Sequence, residues 1–247
     1  MKLENIMLIV ALLFPGFTVL AQQQEKVIND QEQFWWSVNT TARFSDKLGM
    51  VGDFHLRRND FLNETNFYFV RVGAVYWASD QLTLVAGYGH LWLSKDTESS
   101  NLIYQGENRI YQQVQWKSRS GRFSFLNRVR NEQRWHDVLD NEGEYVRTRF
   151  SNRVRFLASV SFRVFNNPRL PQLVVADEVH VHFGKEMIYN TFDQNRIFTG
   201  IKVPVTRDLK FDFGYMMVYQ QHFDGYTYDM NHTLRWFFYY TPDFRKK

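Results

Sequence analysis

Apolar and polar side chains alternate with a period of two along most of this chain, in segments of about ten residues, the length of a membrane-spanning strand. From Phe34 to Phe44, Phe34, Trp36, Val38, Thr40, Ala42 and Phe44 share one face, and Ser37, Asn39, Thr41 and Arg43 share the other. Leu48, Met50, Gly52, Phe54 and Leu56 oppose Asp53, His55 and Arg57; Tyr68, Val70, Val72, Ala74 and Tyr76 oppose Arg71. Leu82 to Leu93 continues the series without a clear facing. Further on, Ile110, Val114 and Trp116 alternate with Arg109, Tyr111, Gln113 and Gln115, and Phe123, Phe125 and Val129 alternate with Arg128, Arg130, Glu132 and Arg134. Val146, Phe150, Val154 and Phe156 oppose Arg147, Arg149, Arg153 and Arg155, while Leu173, Val175, Val179, Val181 and Phe183 oppose Glu178, His180 and His182. Arg196 to Val205, Leu209 to Gln221 and Met230 to Tyr240 complete the series, and Leu209, Phe211, Phe213, Tyr215, Met217 and Tyr219 oppose Lys210, Asp212 and Gln220.

Connections near residues 45, 80, 119 and 207 read as tight turns, and those at 59–66, 94–107, 136–145, 184–193 and 222–229 as longer polar loops. Short turns at one rim and long loops at the other predict an outer-membrane barrel. Hydrocarbon cannot satisfy backbone N–H and C=O groups, so two-faced strands that cross it must close on themselves. The expected fold is therefore all-β, a transmembrane antiparallel β-barrel of 10–12 strands. Twelve is preferred over the eleven visible segments because single-chain bacterial barrels favour even numbers. An extra strand in Gln22 to Gln33, or a misread one in Ser159 to Gln172, would supply the twelfth. Trp35, Trp36, Tyr76, Trp77, Trp116, Trp135, Trp236, Tyr239 and Tyr240 are expected in aromatic girdles at the lipid interfaces.

Composition sharpens this picture. Aromatic residues make up 17% of the 247 residues, yet mean hydropathy is −0.44, because the aromatics are interleaved with Arg, Asn, Gln and Asp. Lys2, the apolar run Ile6 to Leu20 and the Val19-Leu20-Ala21 end read as a secretory signal peptide cleaved after Ala21, with an uncleaved anchor as the competing reading. The expected organisation is a signal peptide over 1–21, a polar N-terminal segment over 22–33 and the barrel over 34–247, in the bacterial outer membrane. With no Cys, a lipoprotein anchor, disulfides and thiolate chemistry are excluded. The net charge of +4 is spread along the chain, so no nucleic-acid partner is expected.

On this phasing one face carries an arginine ladder: Arg43, Arg57, Arg71, Arg109, Arg128, Arg130, Arg134, Arg147, Arg149, Arg153, Arg155, Arg196 and Arg235. Asp53, Glu132, Glu178 and Asp212 are the acidic members, and His55, His180 and His182 join them. Two readings stay open: a lumen cross-braced by Arg–carboxylate pairs, because buried charges require partners, and a basic constriction that favours anions. His180 and His182 share a face with Glu178, but no fourth ligand accompanies them, so no metal is expected. None of the seven His residues has Ser two positions later, and Asp177-Glu178 would point to opposite faces of a strand. No catalytic residues and no cofactor are expected, and the chain reads as a non-enzyme.

Five features together resemble the family known as domain of unknown function 2490, found mainly in Bacteroidetes. They are the signal ending at Ala21-Gln22, the early Trp35-Trp36 strand, the Arg-rich middle strands, the Asp177-Glu178 pair and the Gln194-Asn195-Arg196 segment. The resemblance covers nearly all of the mature chain; it implies an exported barrel and supplies no catalytic residues. The expected function is an outer-membrane barrel acting as a narrow anion-preferring pore or as a plugged structural barrel. Its expected partners are outer-membrane lipid and a small anionic solute. A membrane-embedded lipid hydrolase or lipid-modifying enzyme, and a barrel that binds through its loops, are the alternatives.

Overall fold

Segments of alternating polarity become strands in the computed structural model, which describes residues 25–96 and 102–245. The predicted signal peptide, 1–21, lies outside the described residues. In chain order the strands are β1 (Val27–Arg43), β2 (Leu48–Asn59), β3 (Glu64–Trp77), β4 (Leu82–Asp96), β5 (Leu102–Ser120) and β6 (Phe123–Leu139). They continue with β7 (Tyr145–Phe162), β8 (Gln172–Phe183), β9 (Phe192–Pro204), β10 (Leu209–Gln221) and β11 (Thr227–Tyr240). Each strand pairs with its sequence neighbours, and β11 returns to β1, so the sheet is a closed barrel.

Among the described residues the ring has eleven strands, within the expected ten to twelve though not the preferred twelve. Consecutive strands are antiparallel, so the first and last of an odd set run the same way. β1 and β11 accordingly pair in parallel, from Val27 opposite Thr227 to Thr40 opposite Tyr240, which corrects the expectation of an all-antiparallel barrel. The polar stretch before Phe34 holds no separate strand among its described residues. Its residues from Val27 onward extend β1, so the barrel begins there rather than at Phe34.

A parallel ladder is slightly weaker per residue than an antiparallel one, and side chains clamp this one from both sides. On the inside, Gln33 Nε2 donates to Asn231 Oδ1 of β11 at 2.7 Å and to Asn59 Oδ1 of β2 at 3.1 Å. Asn39 Nδ2 donates to the carbonyl of Phe238 at 3.1 Å. On the outside, the Trp36 ring meets Phe54 and Phe238, with centroids 6.2 and 6.1 Å away.

The predicted contrast between short turns and long loops is weaker than expected. At the rim where β1 begins (the loop rim), polar segments read as loops are taken into the sheet: β5, β6 and β7 reach 19, 17 and 18 residues. At the opposite turn rim, the β7–β8 connection, 163–171, is longer than the turn the pattern predicts there. What distinguishes the loop rim is strand overhang.

Outward positions carry large apolar side chains: Val72 is 49% exposed and Val175 56%. Trp36, Trp116, Trp135, Trp236, Tyr76 and Tyr240 lie on this surface, but Trp35, Trp77 and Tyr239 do not. Adjacent strand residues face opposite sides, so each of the pairs Trp35-Trp36, Tyr76-Trp77 and Tyr239-Tyr240 sends one ring inward. Inside, two apolar clusters fill part of the lumen. One gathers Trp35, Val174, Ala176, Phe198, Met216 and Val218. The other is Val75, Val85 and Tyr111, with Val51 and Trp77 against it. Tyr111 fits only because Gly73 and Gly87 lie beneath it: a Cβ at either would stand 2.7 or 2.8 Å from the tyrosine side chain.

Two-faced strands make a direct expectation for β10. Phe213→Arg, at an outward position, should destabilise the barrel in lipid vesicles by roughly 2–4 kcal/mol if it lies near mid-height. Lys210→Ala, on the inner face, should cost much less. Urea unfolding of the two variants side by side measures this; equal losses would mean that β10 does not separate lipid from lumen.

Candidate functional site

The lumen wall from β5 to β9 is one continuous chain of charged contacts. Alternation places Glu107 and Arg109 on β5, Arg128, Arg130, Glu132 and Arg134 on β6, and Arg153 and Arg155 on β7 on the inner face. Arg134 grips Glu107 with two bonds of 2.7 Å and meets His182 Nε2 at 2.6 Å. His182 Nε2 lies 3.3 Å from Asp193, and Asp193 accepts from Arg153 Nη1 at 3.0 Å. Arg153 donates twice to Glu132, at 2.8 and 2.6 Å, and Arg155 links Glu132 at 3.0 Å to Glu178 at 2.8 Å. Arg128 reaches Glu178 from β6 at 2.5 Å, across the intervening β7. His180, fully buried, sits between Glu178 at 3.2 Å and Asp193 at 3.6 Å. Charges removed from water this far require such pairing, because removing one partner leaves an uncompensated ion; Arg128 Nε and both His180 ring nitrogens are buried without a hydrogen bond among the described residues.

Other guanidiniums rest on aromatic faces. Arg57 lies 3.3 Å from the Trp35 centroid and 4.3 Å from that of Phe67; Arg196 approaches Trp35 at 4.9 Å. The Trp35 indole is held in turn by its Nε1 donating to Gln33 Oε1 at 2.8 Å. Arg71 and Arg130 both lie 5.1 Å from the Tyr111 ring. Arg71 also pairs with Asp53, and Arg130 donates to Gln113 at 2.9 and 2.5 Å. Arg235 stacks over Phe198 at 3.9 Å and lies 3.5 Å from Asp212. Such cation–π contacts contribute about 0.5–2 kcal/mol each, more where water is excluded. Among the described residues, no carboxylate pairs with Arg57.

These groups surround a cavity of about 560 Å³. It is lined toward the loop rim by Asn59, Asn66, Arg149, His222 and Phe223, and its deepest members include Asn39, Arg128 and Tyr239. Eleven arginines and four carboxylates line it. Nearer the turn rim, Lys117, Lys202 and Lys210 lie close enough to repel one another. Lys202 Nζ is 3.2 Å from Ser161 Oγ and 3.8 Å from Asp212.

The remaining residues singled out from the sequence fall at the ends. Arg43 bonds the carbonyls of Ser45 and Asp46 and covers Trp77 at 4.8 Å, so it caps the turn rim. Arg147 does not line the buried lumen as expected: it stands at the loop rim, half exposed, paired with Glu186 at 2.8 Å. Arg149 covers Phe223 at 3.9 Å at the cavity mouth. His55 packs between Phe69 and Phe237, at 5.7 and 5.8 Å.

Two central acids were missed. Glu107 continues the Arg109, Tyr111, Gln113 phase backwards into a stretch read as loop, so extending the alternation finds it. Asp193 breaks the alternation. A register shift between His180 and Val181 leaves Asp193 as an extra residue between Phe192 and Gln194, and both Asp193 and Gln194 are buried. The bulge turns an acid inward where strict alternation puts it outward. On the outer surface, His90 meets Asn108 at 2.8 Å, and His232 meets Tyr215 at 2.6 Å and Asp30 at 3.6 Å.

Residues 32–229 match the family described as "Protein of unknown function (DUF2490)". No curated protein matches the chain. Among solved structures the chain is similar to a NanC porin, at 12% identity and a TM-score of 0.45, over 78% of this chain and 90% of the porin.

Network position sets an expected hierarchy of stability. Glu132→Gln leaves Arg153 and Arg155 without their shared carboxylate and should destabilise the barrel by about 3–5 kcal/mol. Arg147→Ala breaks an exposed pair and should cost under about 1 kcal/mol. Urea unfolding midpoints compare them; a Glu132→Gln barrel as stable as the parent would show that the network does not hold the lumen together.

Proposed function

This chain belongs to the DUF2490 family, whose function is unknown, and we propose that it is a bacterial outer-membrane β-barrel whose cationic lumen forms a narrow, anion-preferring pore. The observation that carries this reading is the charge balance of the cavity. Eleven arginines face four lining carboxylates. Asp53, Glu132 and Asp212, buried beside them, raise the acids only to seven. The surplus lies along the route: Arg149 and Arg57 toward the loop rim, and Lys117, Lys202 and Lys210 toward the turn rim. Rings of fixed positive charge in a low-dielectric channel attract anions and repel cations.

The membrane reading has two supports. Closure leaves no unpaired strand edge around the ring, and the outer face exposes Val, Leu, Ile and aromatic side chains that hydrocarbon would cover. Outer-membrane lipid is then the partner outside, and a small carboxylate- or phosphate-bearing solute the partner within. The ion-pair network narrows the path, so small conductance steps are expected rather than those of a wide porin.

The refolded protein in a planar bilayer under a salt gradient should give stable small steps with a reversal potential of anion preference. Arg149→Glu should move that potential toward cation preference and leave the fold intact. Silence from a folded barrel would sink the pore and leave lipid turnover or a loop-bound partner as the functions to assay.

A further inference from the structure

The outer surface is apolar on most strands; β8 and β9 carry one outward polar pair, Asn195 Nδ2 donating to Asp177 Oδ1 at 2.5 Å, and β5 and β6 break the pattern with a larger, uncharged patch at mid-height. Two outward rows bracket the region: Trp116 opposite Asn127 toward the turn rim, and Asn108 opposite Trp135 toward the loop rim. Between them lie the outward pairs Val114–Val129, Gln112–Asn131 and Ile110–Gln133. From 116 to 108 the strand advances roughly 27 Å at about 3.4 Å per residue. A tilt of about 40° makes that roughly 20 Å of height, comparable with the ~25 Å apolar band of an outer-membrane barrel.

Gln112, Asn131 and Gln133 thus fall inside the band, where a side-chain amide has no water to bond. They bond one another: Gln112 Nε2 donates to Gln133 Oε1 at 3.1 Å, and Asn131 and Gln133 donate to Gln112 Oε1 at 3.3 and 3.2 Å. These bonds use one N–H of each amide nitrogen and leave the second N–H of Gln112, Asn131 and Gln133 without a partner among them. On the far wall, β10 presents Phe211, Phe213, Tyr215 and Met217 outward.

We propose that this face of β5–β6 seats a second copy of the chain. The proposal rests on the membrane-spanning reading but not on the pore. Carboxamides are uncharged and carry donors and acceptors together, so the patch is complementary to itself. Two copies about a two-fold axis would complete each other's bonds, as isologous interfaces do, while Val114, Val129 and Ile110 pack around them. Acyl chains supply neither donor nor acceptor, and the patch itself has no net charge to recruit an ionic partner. Outward amides among valine and isoleucine apply to strands the logic of interhelical polar contacts in membranes.

The chain has no cysteine, so single cysteines report cleanly in the full-length protein. Val114→Cys, beside the amides, and Phe213→Cys, on the far wall, would be expressed in bacterial outer membranes and treated there with a short bis-maleimide. In parallel, both would be probed with a lipid-dissolved maleimide. The expected result is a covalent dimer many-fold stronger for Val114→Cys than for Phe213→Cys, with lipid labelling strong only at Phe213→Cys. The combined variant Gln112→Leu, Asn131→Leu, Gln133→Leu should keep the heat-modifiable folded mobility and lose the dimer in gentle detergent. Equal lipid labelling at both sites without a dimer would overturn the proposal while leaving the membrane reading in place. No lipid labelling at either site would overturn both, and a Val114→Cys adduct to a different polypeptide would replace the second copy with that partner.

Discussion

A ring of eleven strands joined by reversing connections closes only if its first and last strands run in the same direction. That constraint sets the rest of the molecule. It makes β1–β11 the single parallel ladder, joining residues two hundred positions apart, from Val27 with Thr227 onward. It also puts the beginning of β1 at the loop rim and the end of β11 at the turn rim. Because parallel pairing is the weaker kind, the seam relies on what its side chains add. Gln33 and Asn39 hold it from within, and Trp36 and Phe238 cover it from outside. Closure in turn creates the enclosed inner face on which the charged side chains of the alternating pattern meet carboxylates or aromatic rings.

Inside, two kinds of partner share the guanidiniums. Toward β5–β9, carboxylates saturate them in a network in which each of Glu107, Glu132 and Glu178 serves more than one arginine. Toward the seam, rings take over: Trp35 lies between Arg57 and Arg196, and Phe198 lies under Arg235. An aromatic face holds a cation in place without neutralising it. Arg57 therefore keeps its charge with no carboxylate paired to it among the described residues, whereas Arg196 and Arg235 also stand 3.7 Å from Glu178 and 3.5 Å from Asp212; the anion-preferring reading rests on the excess of arginine over acid around the cavity. The same contacts narrow the lumen, because ionic networks and inward-facing Trp35, Tyr111 and Tyr239 occupy space that a wide porin leaves to water.

The outer surface repeats the division in apolar terms. Most strands present hydrocarbon and aromatic cover, which β8 and β9 interrupt with the single pair Asp177–Asn195 and β5 and β6 with a cluster of hydrogen-bonded, uncharged amides at mid-height. The overhanging β5, β6 and β7 rise from this same wall at the loop rim. The barrel is thus unequal around its circumference, with a seam wall suited to lipid and a β5–β6 wall suited to another protein surface.

Period-two alternation was enough to locate the strands and, except for Leu82 to Leu93, their facing, because one face of each must be apolar and a slip of one residue would invert it. That is why Arg71, Arg153 and Glu178 could be assigned to the inner face from sequence. It is also why the nine-ring girdle was over-read: adjacent pairs such as Trp35-Trp36 cannot both face lipid. Two-residue spacing could have revealed Glu107, had the alternation been followed into the polar stretch before it. Asp193 was out of reach, because only the bulge opposite His180 and Val181 turns it inward. The pairing of Arg128 with Glu178, and the odd strand count with its parallel seam, were equally hidden. Local pattern determines which way a side chain points; which chain segment it then meets is set by closure, a property of the whole ring that no local pattern carries.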